Sequence, residues 1–283
     1  MNLTEVIAWL YVPASRPDRF AKAHEAGDGV VVDLEDAVLP SAREAARGTL
    51  DGLLQLSGKP VVVRVNAVGS EDFALDLAAV APLVRAGAVH AIRVPKIESL
   101  ADVQRAADAT ADWPVERRLI CQLESARGVH AAFEVAGHPA VAGIMLGEAD
   151  LRADLGLPRG TGGDLGLALS RQTVVLASRA GGLGAPVASS YTDLGDEPGL
   201  RANTELMREL GFRGRSCLHP RQVGVVREVF APTAADVEWA RSVLAGAASA
   251  GGKGSGAVAL GDGSFVDPAV ERQARDILRL AGL

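Results

Sequence analysis

The sequence is poor in cysteine, in aromatic residues and in basic charge. Only two cysteines occur in 283 residues, and no Cys-x-x-Cys pair is present, which argues against a disulfide framework or a zinc knuckle. The net charge is −6 and aromatic residues make up 4%, so no basic, aromatic-rich surface for nucleic acid is expected. No apolar run approaches the ~20 residues of a membrane span, and the first residues lack a basic signal-peptide start. These absences predict a cytoplasmic protein without a nucleic-acid or membrane partner.

Eight short apolar runs, each ending in charged or polar residues, dominate the sequence. They begin near positions 8, 29, 61, 92, 119, 144, 187 and 214, and segments with helical periodicity lie between them. Alternating strands and helices predict a parallel sheet, and eight such units favour a closed (β/α)₈ barrel, the TIM barrel. At 48% hydrophobic residues, the chain can bury the large core that this fold requires.

Residues 232–283 do not fit the eightfold repeat. We therefore expect a barrel domain over residues 1–231 and a C-terminal extension over residues 232–283. The extension is predicted as a helix from Thr233 to Ala248, a glycine-rich hinge over residues 251–256 and a final helix that Asp267 opens. Such an extension is either a hinged lid or an ordinary tail.

Three carboxylates, Asp33, Glu35 and Asp36, come directly after the second apolar run. A strand buried on both faces carries its chemistry at its end. Carboxylates this close repel each other and lose hydration, so the fold must place a cation opposite them, either a guanidinium or a metal ion. The alternative is a solvated turn that caps the helix predicted from Ser41 to Leu56.

Two further carboxylates, Glu124 and Asp150, end the fifth and sixth apolar runs. Active sites of such barrels lie at the carboxyl ends of the strands. Two carboxylates that leave positions open for water and substrate oxygens are a usual way to hold Mg²⁺. The alternative is that each carboxylate only caps the helix after it.

Arg64 ends the third apolar run without an acidic neighbour in sequence. A buried guanidinium requires an anion. Arg64 therefore pairs with Glu35 or Asp36 across the rim, or binds a substrate carboxylate with its planar fork, and both can hold at once.

Three other cations are placed to meet a phosphate-bearing ligand at the barrel mouth. Arg16 and Lys22 lie at the start of the first helix, and Lys96 follows the fourth strand. Solvated surface positions explain these three residues equally well.

Seven short motifs are spread along the chain. They are residues 10–17 (LYVPASRP), 33–38 (DLEDAV), 64–66 (RVN), 94–98 (VPKIE), 123–128 (LESARG), 147–151 (GEADL) and 217–220 (CLHP). Their order is the one expected of the citrate lyase β-subunit-like (CitE-like) branch of the HpcH/HpaI aldolase family, which the chain resembles over nearly its whole length. The resemblance implies a TIM barrel in which Glu124 and Asp150 bind Mg²⁺ and Arg64 and Glu124 contact the substrate.

The same resemblance implies roles for the remaining charged residues. Glu35 and Asp36 would surround the metal and the substrate. The coenzyme A (CoA) moiety would meet the cations Arg16, Lys22 and Lys96.

Two positions complicate the resemblance. Relatives often have Gly-x-Glu-Asp before the metal-binding aspartate, whereas Ala149 separates Glu148 from Asp150 here, so the metal position stays at Asp150 and the role of Glu148 is open. Asp267 resembles a lid aspartate that reaches the active site of a neighbouring subunit in related malyl-CoA lyases. This favours the lid and a homo-oligomer, expected to be a trimer.

The function implied by the resemblance is a Mg²⁺-dependent lyase that cleaves or forms the carbon–carbon bond of a 3-hydroxyacyl-CoA. Malyl-CoA or citramalyl-CoA would give a 2-oxo acid and acetyl-CoA, with Arg64, Glu124 and Asp267 as catalytic residues. If water enters the same site, the enzyme is a malyl-CoA thioesterase or a malate synthase. A citrate lyase β subunit would instead act on an acyl-carrier protein.

Overall fold

The computed structural model of the chain describes residues 3–116, 118–158, 162–250, 258–259 and 265–283. It forms two compact units, Met1–Val229 and Phe230–Leu283. Within this described part, no helix combines the length and the apolarity that a membrane crossing requires.

Seven parallel strands form one sheet in the first unit. They are β1 (Ala8–Pro13), β2 (Gly29–Asp33), β3 (Val61–Arg64), β4 (Ala91–Val94), β5 (Leu119–Leu123), β6 (Val141–Leu146) and β7 (Arg215–Cys217). Their order in the sheet is β6-β5-β4-β3-β2-β1-β7. Val30, Val31 and Val32 of β2 are fully buried, as expected for β-branched residues in a sheet covered on both faces.

Helices follow most of the strands. They are α1 (Phe20–Ala26), α2 (Arg43–Arg47), α3 (Glu71–Arg85), α4 (Leu100–Ala109), α5 (Ala126–His130), α6 (Ala132–Ala136), α7 (Glu148–Asp154), α8 (Gly162–Ala180), α9 (Glu197–Glu209) and α10 (Pro220–Phe230). Ser70, Ser99 and Ser125 start α3, α4 and α5 by accepting a backbone N–H bond three residues on. The helix predicted over residues 41–56 is only the short α2 between two 3₁₀ turns, because Gly48 and Gly52 lower its helix propensity.

The seventh apolar run is not a strand, so the sheet has seven strands where eight were predicted. Residues 186–190 join β7 by a single parallel bridge, Ala188 to Arg215. Towards β6, the Ser189 hydroxyl donates to the Leu146 carbonyl at 2.6 Å. Pro186 has no N–H to donate, and a side chain therefore replaces backbone pairing on that side. The first unit is TIM-barrel-like, and this segment lies between its two edge strands.

The second unit has its own small core of Ala240, Val243, Val266 and Ala274. Its elements are α11 (Ala234–Ala250), an antiparallel pair of β8 (Val258–Ala259) and β9 (Phe265–Val266), and α12 (Pro268–Leu280). The final helix agrees with the sequence prediction. The predicted glycine hinge, residues 251–256, lies outside the described residues.

Candidate active site

A cavity of about 400 Å³ lies among the carboxyl ends of the strands. Asp33 of β2 and Arg64 of β3 are register partners, so their side chains point to the same face of the sheet. Residues of β1, β5, β6 and β7 reach the same space. Strand residues that line the cavity are Tyr11, Pro13, Asp33, Arg64, Gln122, Met145, Leu146 and Ser216.

Arg64 is surrounded by three carboxylates. Its Nε and Nη2 donate to the two oxygens of Asp33, at 2.7 and 2.6 Å. Its Nη1 lies 2.9 Å from Glu35 Oε2 and 3.2 Å from Asp36 Oδ2. The structure thus places both predicted anions beside Arg64 and adds Asp33, which fills the planar fork. Burial is the largest single influence and opposes the charge, but the hydrogen bond to Asp33 and the charges of Tyr11, Asp33 and Glu35 together raise the pKa of Arg64.

Glu35 is almost fully buried, with only 5% of its surface exposed. Burial raises its pKa to about 7, helped by Asp36 and Asp33 and opposed by Arg64. Lys96 Nζ is 3.8 Å from Glu35 Oε1. The acidic cluster therefore carries less than three full negative charges near neutral pH.

Glu124 is held by two N–H donors. The backbone N–H of Lys96 donates to Oε1 at 2.8 Å, and Gln122 Nε2 donates to Oε2 at 2.5 Å. Lys96 takes the left-handed conformation, at φ 55°, to present its N–H in this way. Gly147 lies against the same carboxylate, since a Cβ there would be 2.8 Å from Glu124 Cβ and 2.9 Å from Gln122 Nε2. The Lys96 backbone, the Gln122 side chain and the close approach of Gly147 thus fix the Glu124 carboxylate in one place.

Asp150, in the first turn of α7, shares a second cavity of about 320 Å³ with Glu124. Burial raises the pKa of Glu124, and the charge of Asp150 contributes to the shift. Each carboxylate oxygen of Glu124 has a lone pair left after its one N–H bond, so the pair suits a hard cation such as Mg²⁺. In the described part of the chain no group of three or more His, Cys, Asp or Glu side chains is gathered for a metal. A cation here would take its remaining ligands from water and substrate oxygens.

Glu148 lines the larger cavity together with Asp150, and its carboxylate pairs with Arg171 of α8. Arg171 Nε and Nη2 donate to the two Glu148 oxygens at 2.8 Å each, and Nη2 also donates to Asp164 at 2.9 Å. Arg171 is 1% exposed. Glu148 therefore anchors the start of α7, two residues before Asp150. No local pattern in the sequence indicates its partner, Arg171, 23 positions away.

The other predicted residues lie at the surface or in the second unit. Arg16 bonds to its neighbour Asp18 at 2.9 and 2.8 Å, and both side chains are exposed. Lys22 is exposed on α1, and only Lys96 is brought beside the acidic cluster. Asp267 lies in the second unit, where its Oδ1 accepts the N–H bonds that start α12.

Tyr11, which lines the cavity, and Arg93, which contacts Tyr11, were not among the predicted site residues. Two guanidinium groups lie over the Tyr11 ring, with Arg64 Cζ 5.2 Å and Arg93 Cζ 5.3 Å from the ring centroid. Arg93 is 1% exposed and interrupts the apolar run of β4. A charged residue inside an apolar run was the signal available in the sequence.

Comparison with known proteins agrees with the resemblance seen in the motifs. The family model for HpcH/HpaI aldolase/citrate lyase matches residues 8–220. The citrate lyase subunit beta-like protein of Mycobacterium tuberculosis (strain ATCC 25618 / H37Rv) is 37% identical over 278 residues, 97% of this chain and 95% of that protein. A (3S)-malyl-CoA thioesterase of Cereibacter sphaeroides (strain ATCC 17025 / ATH 2.4.3) is 36% identical, over 91% and 88% of the two chains.

A solved structure is similar over almost the whole chain. It is the protein CitE from Mycobacterium tuberculosis in complex with magnesium, acetoacetate and coenzyme A, with a TM-score of 0.78 and 34% identity over 99% of this chain and 100% of that one. The predicted family is confirmed. The chain belongs to the HpcH/HpaI aldolase/citrate lyase family.

Proposed function

We propose that the chain is a Mg²⁺-dependent lyase that cleaves or forms the carbon–carbon bond of a malyl-CoA or citramalyl-CoA type thioester. The products of cleavage are a 2-oxo acid and acetyl-CoA. The observation that carries this proposal is the pair Glu124 and Asp150, which share the smaller cavity at the rim of the TIM-barrel-like unit. Asp150 also lines the larger cavity, where Arg64 lies. Similarity to a CitE protein crystallised with magnesium and coenzyme A supports it.

Glu124 and Asp150 are the proposed ligands of Mg²⁺. Bound there, the ion supplies a Lewis acid for the oxygens of the 2-oxo acid. Gln122 and the Lys96 backbone keep the Glu124 carboxylate in place, so the site is organised before the ion arrives. Preorganised ligands of this kind lose little freedom on binding.

Arg64 is proposed to orient the substrate carboxylate. Its Nε, Nη1 and one N–H of Nη2 face Asp33, Glu35 and Asp36. A guanidinium has five N–H bonds, so the second N–H of Nη2 is left for substrate. Their contacts with Arg64 mean that Asp33, Glu35 and Asp36 also hold the guanidinium plane in a fixed orientation. The exposed cations Arg16, Lys22 and Lys96 are the proposed contacts of the CoA phosphates.

In the direction of synthesis, a base must take a methyl proton from acetyl-CoA. The resulting carbanion attacks the keto carbon, and the keto oxygen becomes the 3-hydroxyl group after it takes up a proton. Asp267 is the proposed base. Both of its cap bonds go to Oδ1, which leaves Oδ2 for the proton. This role requires the extension over residues 232–283 to act as a lid, in a homo-oligomer proposed to be a trimer. Residues 186–190 would complete a closed (β/α)₈ barrel over residues 1–231.

The test is incubation of the purified protein with Mg²⁺ and malyl-, citramalyl- or citryl-CoA, with the products identified by mass. Acetyl-CoA and a 2-oxo acid, lost when EDTA is added, are expected. Glu124→Gln should abolish turnover, and Glu134→Gln, on the exposed face of α6, should not. Turnover that persists in Glu124→Gln would refute the metal assignment.

The second candidate is a thioesterase, favoured by the similarity to (3S)-malyl-CoA thioesterases. It would release free hydroxy acid and CoA in the same assay, as would a malate synthase supplied with acetyl-CoA and glyoxylate. Absence of turnover with every CoA thioester would favour a citrate lyase β subunit that acts on an acyl-carrier protein.

A further inference from the structure

Arg93 is a buried cation without a carboxylate partner in the described structure. Its Nη1 donates to the Tyr11 hydroxyl at 2.5 Å and lies 3.3 Å from Ser216 Oγ. Its Nε is buried and has no hydrogen-bond partner. A buried charge normally requires an anion. Here two hydroxyl groups stand where that anion would be expected.

Tyr11 and Ser216 both line the cavity of the candidate active site. A hydroxyl oxygen that accepts from a guanidinium still has its own O–H to donate. Among the described residues, neither the Tyr11 nor the Ser216 hydroxyl donates to a protein acceptor. Two donors, polarised by one cation behind them, therefore face a space that substrate would occupy.

The neighbouring Arg64, unlike Arg93, is surrounded by carboxylates. Asp33, Glu35 and Asp36 together outnumber its single positive charge. Arg64 and Arg93 are register partners on β3 and β4, and each guanidinium lies over the Tyr11 ring. An anionic substrate group is therefore drawn towards the Arg93 side, where the positive charge is not neutralised.

We propose that Tyr11 and Ser216 bind a carboxylate oxygen of the 2-oxo acid, with Arg93 as the residue that positions both hydroxyl groups. This inference rests on the proposed function, because it assigns the 2-oxo acid to this cavity. Tyr11 and Ser216 contact the substrate, whereas Arg93 acts through them. The subsite adds two O–H donors to the single N–H that Arg64 has left.

The test measures binding directly, by titrating pyruvate and, separately, coenzyme A into the Mg²⁺-loaded protein in a calorimeter. Tyr11→Phe keeps the ring over which the two guanidinium groups lie and removes only the hydroxyl. We expect it to weaken pyruvate binding about tenfold or more, the usual effect of losing a hydrogen bond to a charged group. Affinity for coenzyme A and for uncharged pyruvamide should be unchanged.

Matched controls are available in the chain. Tyr191→Phe removes the only other tyrosine hydroxyl, which donates to Asp196, and Ser178→Ala removes another buried serine hydroxyl. Neither control should change pyruvate affinity, whereas Ser216→Ala should lower it. In an Arg93→Met background the effect of Tyr11→Phe should shrink, because the hydroxyl is no longer oriented, and thermal unfolding checks that each variant is folded.

Two results would overturn the subsite. The first is that Tyr11→Phe and Ser216→Ala bind pyruvate with wild-type affinity. The second is that these variants lose affinity for coenzyme A alone. Because binding is read without turnover, inactivity towards every thioester refutes the lyase proposal and not the subsite. An active lyase whose Tyr11→Phe variant binds pyruvate normally refutes the subsite alone.

Discussion

Replacing Gly147 with alanine tests how tightly the structure fixes Glu124. The added Cβ would lie 2.8 Å from Glu124 Cβ and 2.9 Å from Gln122 Nε2, well inside ordinary van der Waals contact. Gly147 has φ −98°, outside the left-handed region, so the effect is steric. The Glu124 side chain must move by several tenths of an ångström to make room.

The magnitude follows from the cost of overpacking, about 1–3 kcal/mol. If that cost falls on the position of the carboxylate, Mg²⁺ affinity should fall about ten- to a hundredfold, at ~1.4 kcal/mol for each tenfold change. Calorimetric titration with Mg²⁺ measures the affinity, and thermal unfolding in EDTA measures the stability without the ion.

Gly143→Ala is the matched control, because Gly143 lies on β6, the strand that ends just before Gly147, and a Cβ there meets nothing within 4 Å. It should bind Mg²⁺ as the wild type does. In a Glu124→Gln background, Gly147→Ala should have little further effect on the weak affinity that remains. Wild-type affinity and stability in Gly147→Ala itself would refute the reasoning.

Three further variants separate the other features of the site. Arg171→Met should lower the free energy of unfolding by about 3–5 kcal/mol, measured in urea, because Glu148 loses its buried partner; a loss below 1 kcal/mol would contradict this. The pKa of Glu35 is raised from 4.5 to about 7. The unfolded chain therefore releases this proton at a lower pH than the folded chain does, and the wild-type free energy of unfolding should fall by roughly 3 kcal/mol as the pH rises from 4.5 to 7. Glu35→Gln should remove this slope in urea unfolding followed from pH 4 to 8, and an unchanged slope would assign it to another group. Lys96→Gly should raise stability by about 1 kcal/mol by relieving the left-handed conformation and weaken coenzyme A binding in a titration, and destabilisation would show that φ 55° carries no strain.

The positions of the strands were predictable because each strand is a short apolar run with a polar end. Seven of the eight runs form strands, since burial on both faces leaves few other structures for a run such as residues 29–33. The strand predicted at residue 187 was wrong because Pro186 has no N–H and the Ser189 side chain replaces backbone pairing on the side facing β6. The long helix predicted over residues 41–56 was wrong for a local reason that is visible in the sequence, namely Gly48 and Gly52.

The candidate site was predictable where one residue type implies another. A buried arginine requires an anion, and the structure places Asp33, Glu35 and Asp36 around Arg64. Which of the three fills the planar fork depends on strand register, which no local pattern contains. The roles of these residues towards metal and substrate stay predictions.

Other contacts could not be predicted because they join distant parts of the chain. Glu148 meets Arg171 only after two helices pack. Tyr11 meets Arg93 across the sheet, 82 positions away. A lone arginine in an apolar run shows that something polar lies nearby, but it does not say what.

The edge of the sheet beside residues 186–190 has a consequence for reactivity. Cys121 lies on β5, which is paired with strands on both sides, whereas Cys217 lies on β7, whose far side has the single bridge to Ala188. Burial raises the pKa of both thiols to about 12, and only the thiolate reacts with alkylating reagents. Each cysteine is therefore unreactive towards such reagents until its own strand is exposed to solvent. Maleimide labelling of Cys217 would time the opening of this edge, and labelling of Cys121 would time the loss of the whole sheet.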